Sequence, residues 1–205
     1  MEDLRSSSIE SGESVHPEYG SECVTALVPA LLEGVPGPMC MPVGVSEARS
    51  VVLFVLDGLG WNQLCSRADF VPTLAGLEGG PITTVAPTTT AAALTSITTG
   101  LPPGEHGVMG YRVALEDSVL NALRWSTTGG VGDNRPDPRS FQPHPAFGAQ
   151  RPPVITRAEH VGSAFTQAHL PETRLVGYED RKGAVDTVVE AVHSSEAFVY
   201  AYWDG

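Results

Sequence analysis

The sequence is poor in cysteine. Its three cysteines, Cys23, Cys40 and Cys65, form no CxxC pair, and their number is odd. Such a set argues against a framework of disulfides and favours a reducing compartment. We therefore expect a cytoplasmic protein.

Basic residues and long apolar runs are also scarce. The chain carries 12 lysines and arginines against 24 acidic residues, a formal charge of −12. This acidity disfavours nucleic acid polymers and anionic membranes as partners. It does not exclude a small phosphate ester, because a bound metal ion inverts the local field. The N-terminus lacks the basic start and apolar stretch of a signal peptide, and no apolar run approaches the roughly 18 residues of a membrane span.

The composition allows one domain or somewhat more. The chain has 205 residues and an apolar fraction of 41%, enough for a buried core. Residues 1–20 are rich in serine, glutamate and glycine and contain few large apolar groups. They cannot offset their ordering entropy by burial, which predicts a disordered acidic tail before a folded portion at residues 21–205.

Runs of apolar and β-branched residues predict five strands, at residues 50–56, 81–86, 154–157, 174–178 and 197–203. The run at 50–56 is apolar almost throughout, which predicts a central parallel strand buried on both faces.

Helical spacing predicts four helices. The first begins at a Ser21 cap, continues to Leu32 and is kinked at Pro29; a second begins at Trp61 or Asn62; the others span residues 90–99 and 181–193. Residues 126–153 show little periodicity and predict a long loop of the kind that often borders a site. Strands that alternate with helices predict an α/β fold with a largely parallel sheet.

Asp57 is the first candidate site residue. It directly follows the apolar run at 50–56 and precedes Gly58 and Gly60. Ligands of open α/β sheets bind beyond the carboxyl ends of strands, and a carboxylate there suits a divalent metal. The alternative is an aspartate that caps the next helix. A phosphatase of the haloacid dehalogenase type needs a second aspartate two residues later, where this chain has Leu59.

A second candidate site lies in the threonine-rich segment that follows Pro87. A hydroxyl at the start of the helix predicted over residues 90–99 meets a field and free N–H groups that favour an oxyanion. A metal ion lowers the pKa of such a hydroxyl and makes it a nucleophile. Any single threonine here is also a plausible helix cap, so most of them must be structural.

Together the two segments resemble a known family. Val-Leu-Asp-Gly-Leu-Gly at residues 55–60 is followed by Ala-Pro-Thr-Thr-Thr-Ala at 86–91 and Thr-Gly-Leu-Pro-Pro-Gly-Glu-His-Gly at 99–107. This order is similar to the nucleotide pyrophosphatase/phosphodiesterase branch of the alkaline phosphatase superfamily. The resemblance is close over residues 50–112 and looser up to 205.

The resemblance implies a fold, a reaction and two site residues. The fold is an alkaline phosphatase-like α/β core, and the reaction is metal-dependent hydrolysis of phosphate diesters or pyrophosphates. The family's nucleophile lies ten residues before Gly100, which gives Thr90. Its strand-end aspartate, which binds the same metal, matches Asp57. Two Zn²⁺ ions are implied for the complete domain, and Thr90 carries the phosphoryl group in a phospho-threonine intermediate.

The chain departs from the family after the nucleophile. Many members carry Phe-Pro-Asn there, and the asparagine helps to hold the phosphate oxygen, whereas this chain has Ala91, Ala92 and Ala93. The substrates of those members therefore do not transfer to this protein. Two histidines, His106 and His144, are tempting metal ligands, but the family pattern makes a structural role the better interpretation of His106, and we expect the same of His144.

The last residues resemble the family strand that leads to the second metal. Asp204 follows that strand, but alignment on Tyr202 and Trp203 puts the family ligand slightly beyond Gly205. We therefore expect an N-terminal portion of a phosphodiesterase domain, with little or no activity alone. Two alternatives remain: a non-catalytic protein with exposed apolar surface, and a hydrolase of phosphonates, phosphomonoesters, sulfate esters or phosphosugars within the same superfamily.

Overall fold

The computed structural model describes residues 15–130, 134–148 and 150–204. The first 14 residues of the predicted disordered tail lie outside this part of the chain. Residues 15–20 are irregular, and the Glu18 N–H donates a hydrogen bond to Thr83 Oγ1 at 2.9 Å.

Seven strands form two sheets: β1 (Val51–Leu56), β2 (Arg112–Ala114), β3 (Val119–Asn121), β4 (Ser126–Thr128), β5 (Pro153–Arg157), β6 (Arg174–Tyr178) and β7 (Phe198–Trp203). The larger sheet has the order β1-β7-β5-β6, and all of its pairs are parallel. The smaller sheet has the order β2-β3-β4 and is antiparallel. The predicted α/β fold with a largely parallel sheet is thus confirmed.

The α-helices in the described residues are α1 (Leu27–Glu33), α2 (Trp61–Ser66), α3 (Pro72–Ala75), α4 (Thr90–Thr99), α5 (Pro103–His106), α6 (Pro138–Phe141), α7 (Ala164–His169) and α8 (Arg181–His193). Each is too short or too polar to cross a bilayer. The three cysteines are free thiols, as expected from their spacing.

Strand β1 lies at an edge of the parallel sheet, so the prediction of a central strand was wrong. In the described chain it pairs with β7 alone, and Phe54 on it remains 47% exposed. Phe54 lines two open grooves, one toward α8 and the other toward α2 and α3. The strand is apolar throughout because Val51, Leu53 and Val55 pack half-buried against the main core while the opposite face, with Phe54, is apolar as well.

Helix α1 begins later than predicted. A short 3₁₀ turn at Val24–Ala26 precedes it, and Ser21 does not cap it. Pro29 is therefore the third residue of α1, within the first turn, where its missing N–H breaks no intrahelical bond. The helix ends at Gly34 in the left-handed conformation (φ 69°), as the sequence predicts.

Helix α4 spans the predicted residues, 90–99. The Thr89 side chain caps it by accepting a hydrogen bond from the Ala92 N–H, and Gly100 ends it with φ 75°. A Cβ atom at Gly100 would also lie 2.7 Å from Pro29 Cγ. Both the left-handed backbone and this close approach therefore require glycine at position 100. Small alanine, serine and threonine side chains let this helix lie buried along most of its length.

Two regions differ from the sequence prediction. Residues 81–86 form no strand; only Thr83 makes a single bridge, to Cys23. The stretch at 126–153, predicted as a loop, instead begins with β4 and contains α6. Phe147 in this stretch is buried in the main core. The antiparallel sheet and α7 were not predicted.

Candidate active site

Asp57 and Thr90 meet at the carboxyl edge of the parallel sheet. The Thr90 hydroxyl donates a hydrogen bond to Asp57 Oδ2 at 3.1 Å. The phenol of Tyr202 donates to the same oxygen at 2.8 Å. Both side chains that the sequence singles out therefore lie in one site, with a third partner from β7.

The sheet itself positions Asp57. Leu56 lies opposite Trp203, and the Asp57 N–H donates to the Trp203 carbonyl at 2.9 Å, which extends the ladder by one residue. Gly58 then turns the chain away with φ 77°, a conformation that strongly favours glycine. Thr90 is the first residue of α4, and its hydroxyl thus stands at a helix N-terminus.

The two hydroxyls restrain the Asp57 carboxylate. Both bind Oδ2, and among the described residues Oδ1 has no side-chain partner. Burial, followed by the hydrogen bond to Asp57 and its charge, raises the pKa of Tyr202 above the ordinary phenol value. Tyr202 therefore stays protonated, and its hydrogen bond to Oδ2 orients the Asp57 carboxylate.

A cavity of about 300 Å³ adjoins this contact. Asp57, Thr90 and Asp204 lie along its rim together with His160, and buried apolar and polar side chains from α4, α7 and β7 form its inner end. Its volume lies at the lower limit of ligand sites in proteins, which suits a small substrate.

Asp204 lies beside Asp57, at the end of the neighbouring strand, but it has its own partners. Its carboxylate forms an ion pair with Arg157 Nε, and His160 Nε2 lies 3.1 Å from Oδ2. Burial alone would raise the pKa of Asp204, but the hydrogen bonds from Arg157 and His160 outweigh burial and lower it.

Two groups of residues have the chemistry of a metal site. Asp57 Oδ1 and Thr90 Oγ1 offer oxygen ligands at the sheet edge, but zinc in proteins usually takes about four ligands. Glu159, His160 and Asp204 place one potential ligand atom each within 4.8 Å of one another. The Arg157 cation on Asp204 competes with a metal there, so Asp57 and Thr90 are the better fit.

His106 is buried and has partners at both ring nitrogens. The Val108 N–H donates to Nδ1 at 3.1 Å, so Nε2 carries the proton and donates to Ser96 Oγ at 2.8 Å. This agrees with the structural role expected for His106. His144 exchanges two hydrogen bonds with the buried Gln142 through its backbone, and its ring does not line the cavity.

Burial makes the stability depend on pH. It lowers the pKa of both His106 and His169 to about 4, whereas the unfolded value is about 6.5. Between about pH 4 and 6.5 the unfolded chain binds more protons than the folded chain. The contribution of these histidines to the free energy of unfolding is therefore complete above about pH 6.5 and is lost as the pH falls toward 4. His169 accounts for about 3 kcal/mol of this loss of stability.

Urea unfolding at pH 7, 5.5 and 4.5 measures the loss of stability on acidification. The substitution His169→Gln should make this loss smaller, whereas His193→Gln, at an exposed position, should leave it unchanged.

Sequence reasoning missed Tyr202 and His169 as cavity residues. Tyr202 had a usable signal, because alternate residues of a strand face one side, and Phe198, Tyr200 and Tyr202 follow that period. His169 had none, since the short helix α7 shows no clear apolar period.

A carboxylate and a helix-terminal hydroxyl thus lie in contact at the edge of a parallel sheet, beside a cavity, which is where open α/β sheets bind their ligands. A family model described as type I phosphodiesterase / nucleotide pyrophosphatase matches residues 51–195, and the chain therefore belongs to this family. The match includes Asp57 and Thr90, it confirms the resemblance seen in the sequence, and it indicates a hydrolase of phosphate esters. Comparison with curated proteins and with solved structures gave no significant match.

Proposed function

We propose that the protein hydrolyses small phosphate diesters or pyrophosphates, with Thr90 as the nucleophile and Asp57 as a metal ligand. The hydrogen bond of 3.1 Å between the Thr90 hydroxyl and the Asp57 carboxylate carries this proposal. In this proposal the nucleophile lies beside a group that orients it, next to a cavity of a size that suits a small substrate.

Three side chains have separate roles in the proposed reaction. Thr90 Oγ1 attacks phosphorus, and its bond to phosphorus forms as the bond to the leaving oxygen breaks. The Thr90 proton passes to Asp57 and from there to the leaving oxygen, which departs as the first product. Tyr202 holds the Asp57 oxygen that receives this proton. Water then attacks the phospho-threonine: its oxygen bonds to phosphorus as the bond to Thr90 Oγ1 breaks, and one water proton passes by way of Asp57 to Thr90 Oγ1, which restores the hydroxyl and releases the second product.

The N-terminus of α4 supplies the oxyanion contact. The first N–H groups of a helix have no partner within it, and those of Thr90 and Ala91 adjoin the nucleophilic oxygen. They replace the asparagine amide that many relatives carry and that Ala91, Ala92 and Ala93 cannot provide.

Asp57 and Thr90 would hold one of the two zinc ions that we propose for this reaction. When bound, zinc lowers the pKa of a coordinated hydroxyl and neutralises charge on the phosphoryl oxygens. The lining residues include no lysine or arginine, which favours a singly charged ester over a doubly charged monoester. A phosphonate monoester has the same single charge and is the second candidate substrate.

We propose that the protein works in the cytoplasm on a small ester, without a nucleic acid polymer or a membrane as partner. The free state of all three cysteines and the net charge of −12 support this. Turnover by this chain alone is proposed to be weak, since Asp57 and Thr90 supply only part of a zinc ligand set.

Hydrolysis of bis(p-nitrophenyl) phosphate with added zinc tests the proposal. Wild type should release p-nitrophenol above the buffer rate, Asp57→Asn should lose this activity and bind zinc more weakly, and Asp117→Asn in the exposed β2–β3 turn should behave as wild type. Equal zinc affinity and equal rates in Asp57→Asn and wild type would show that Asp57 is not the ligand.

A further inference from the structure

Part of the cavity lining consists of deeply buried side chains, and we call this part the inner pocket. Its residues are Leu94, Phe165, His169, Leu170 and Tyr200. Three of these side chains are aliphatic or phenyl groups, and two are polar and almost fully buried: His169 is 5% exposed and Tyr200 is 1% exposed. Polar groups that are buried without a structural task point to a ligand.

His169 is held as a hydrogen-bond acceptor. Its Nδ1 lies 2.8 Å from the Phe165 carbonyl, which only accepts, so Nδ1 carries the proton and Nε2 bears a lone pair. The ring stacks on Phe165 with centroids 4.1 Å apart, which fixes its orientation. Among the described residues Nε2 has no hydrogen-bond partner, and the imidazole lines the cavity.

Tyr200 is held as a donor. Its hydroxyl is buried and has no hydrogen-bond partner in the part of the chain that the structure describes. An unpaired buried hydroxyl costs about 1–3 kcal/mol, so a purely structural position would favour phenylalanine. Burial, and to a lesser extent the charge of Asp57, raises the pKa of the phenol, which therefore keeps its proton.

The inner pocket offers no cation to an anionic group. Its polar side chains, His169 and Tyr200, are both neutral, because burial lowers the pKa of His169 to about 4 and raises the pKa of Tyr200. No lysine or arginine is among the residues that line the cavity, and Arg157 is already paired with Asp204. Burial of an anion without a cationic partner costs roughly several kcal/mol. The substituent that enters must be neutral.

We propose that the inner pocket binds the neutral organic substituent of the substrate ester, a largely apolar group that carries one hydroxyl or amide. That group accepts a hydrogen bond from Tyr200 and donates one to His169, so these two residues determine specificity. The inference rests on the proposed function and narrows it to esters whose non-reacting group is uncharged.

Binding of three probes to the intact chain tests this without turnover. Benzamide is neutral and can both donate and accept, benzoate has the same shape with a negative charge, and toluene has only the apolar ring. Chemical-shift titration should show benzamide bound more tightly than benzoate by at least about ten-fold. Tyr200→Phe and His169→Phe, which keep ring volume, should each weaken benzamide by about three- to ten-fold and leave toluene within two-fold.

Tyr111→Phe and His193→Phe are the matched controls, because both side chains are exposed and neither is among the residues that line the cavity. They should bind all three probes as wild type does. Benzoate bound as tightly as benzamide, benzamide affinity unchanged in both pocket variants, or no benzamide binding at all would each overturn the inference.

The outcome is separable from that of the proposed function. Probe binding needs neither zinc nor the Thr90 hydroxyl. If the chain prefers benzamide to benzoate but hydrolyses nothing, the inference about the inner pocket is supported while the proposed reaction is contradicted. Hydrolysis without discrimination among the probes would overturn the pocket alone.

Discussion

Thr90→Ala should abolish hydrolysis of bis(p-nitrophenyl) phosphate, so that the weak release of p-nitrophenol by the wild type falls to the buffer rate. The substitution removes the only atom of this residue that can bond to phosphorus. It leaves Tyr202 on Asp57, so the carboxylate keeps one of its two restraints. Steady-state kinetics with zinc present measures the effect.

Two further variants separate chemistry from folding. Thr90→Ser keeps a hydroxyl at the α4 N-terminus and should retain part of the activity, because serine also forms a phosphoester. Thr99→Ala is the matched control at the other end of the helix, where the hydroxyl donates to the Thr95 carbonyl. A Thr90→Ala protein that keeps the wild-type rate would remove Thr90 from the mechanism.

The fold could be predicted wherever local pattern and tertiary position agree. Helix α4 has a capping residue, Thr89, directly before its first residue and a glycine directly after its last, so both ends are encoded in the local sequence. Strands β5, β6 and β7 fall within about one residue of their predicted bounds for a similar reason: β-branched and aromatic runs are enclosed by turn residues.

The misplaced elements depend on contacts distant in sequence. The composition of 81–86 favours a strand, but among the described residues its strand-type pairing is limited to one bridge, from Thr83 to Cys23, which is too little for a ladder. Strands β2, β3 and β4 have three residues each, and such short strands carry too few alternations to be recognised. The edge position of β1 depends on sheet order, which no local pattern contains.

The residues of the site also fall into those that the sequence predicts and those that only the fold brings together. Asp57 was predicted from its place between an apolar run and two glycines, and Thr90 from the family resemblance, which puts the nucleophile ten residues before Gly100; the structure brings the two side chains into contact. Tyr202, Tyr200 and His169 come from β7 and α7, and their roles arise only when the chain is folded. The motif therefore predicts the proposed reacting centre, whereas the residues proposed to select a substrate are brought together only by folding.

Phe147→Ala should destabilise the fold by about 3–5 kcal/mol, because it leaves a cavity where a buried aromatic ring was. Phe147 lies in the stretch predicted as a loop, yet it is 1% exposed, and its N–H donates to the Thr98 carbonyl at 2.7 Å. Its ring packs on Phe198 and Tyr200, with centroids 5.8 and 5.4 Å apart.

Because Tyr200 lines the inner pocket, the same substitution should also weaken benzamide binding, and this links the stretch of chain around Phe147 to the site. Urea unfolding at pH 7 measures the stability. Phe70→Ala, at a position 86% exposed, should change it by less than about 0.5 kcal/mol. Phe147→Leu should recover most of the loss by refilling the space. A Phe147→Ala protein as stable as the Phe70→Ala control would mean that the core forms without this ring, and that the chain around residue 147 is a surface loop after all.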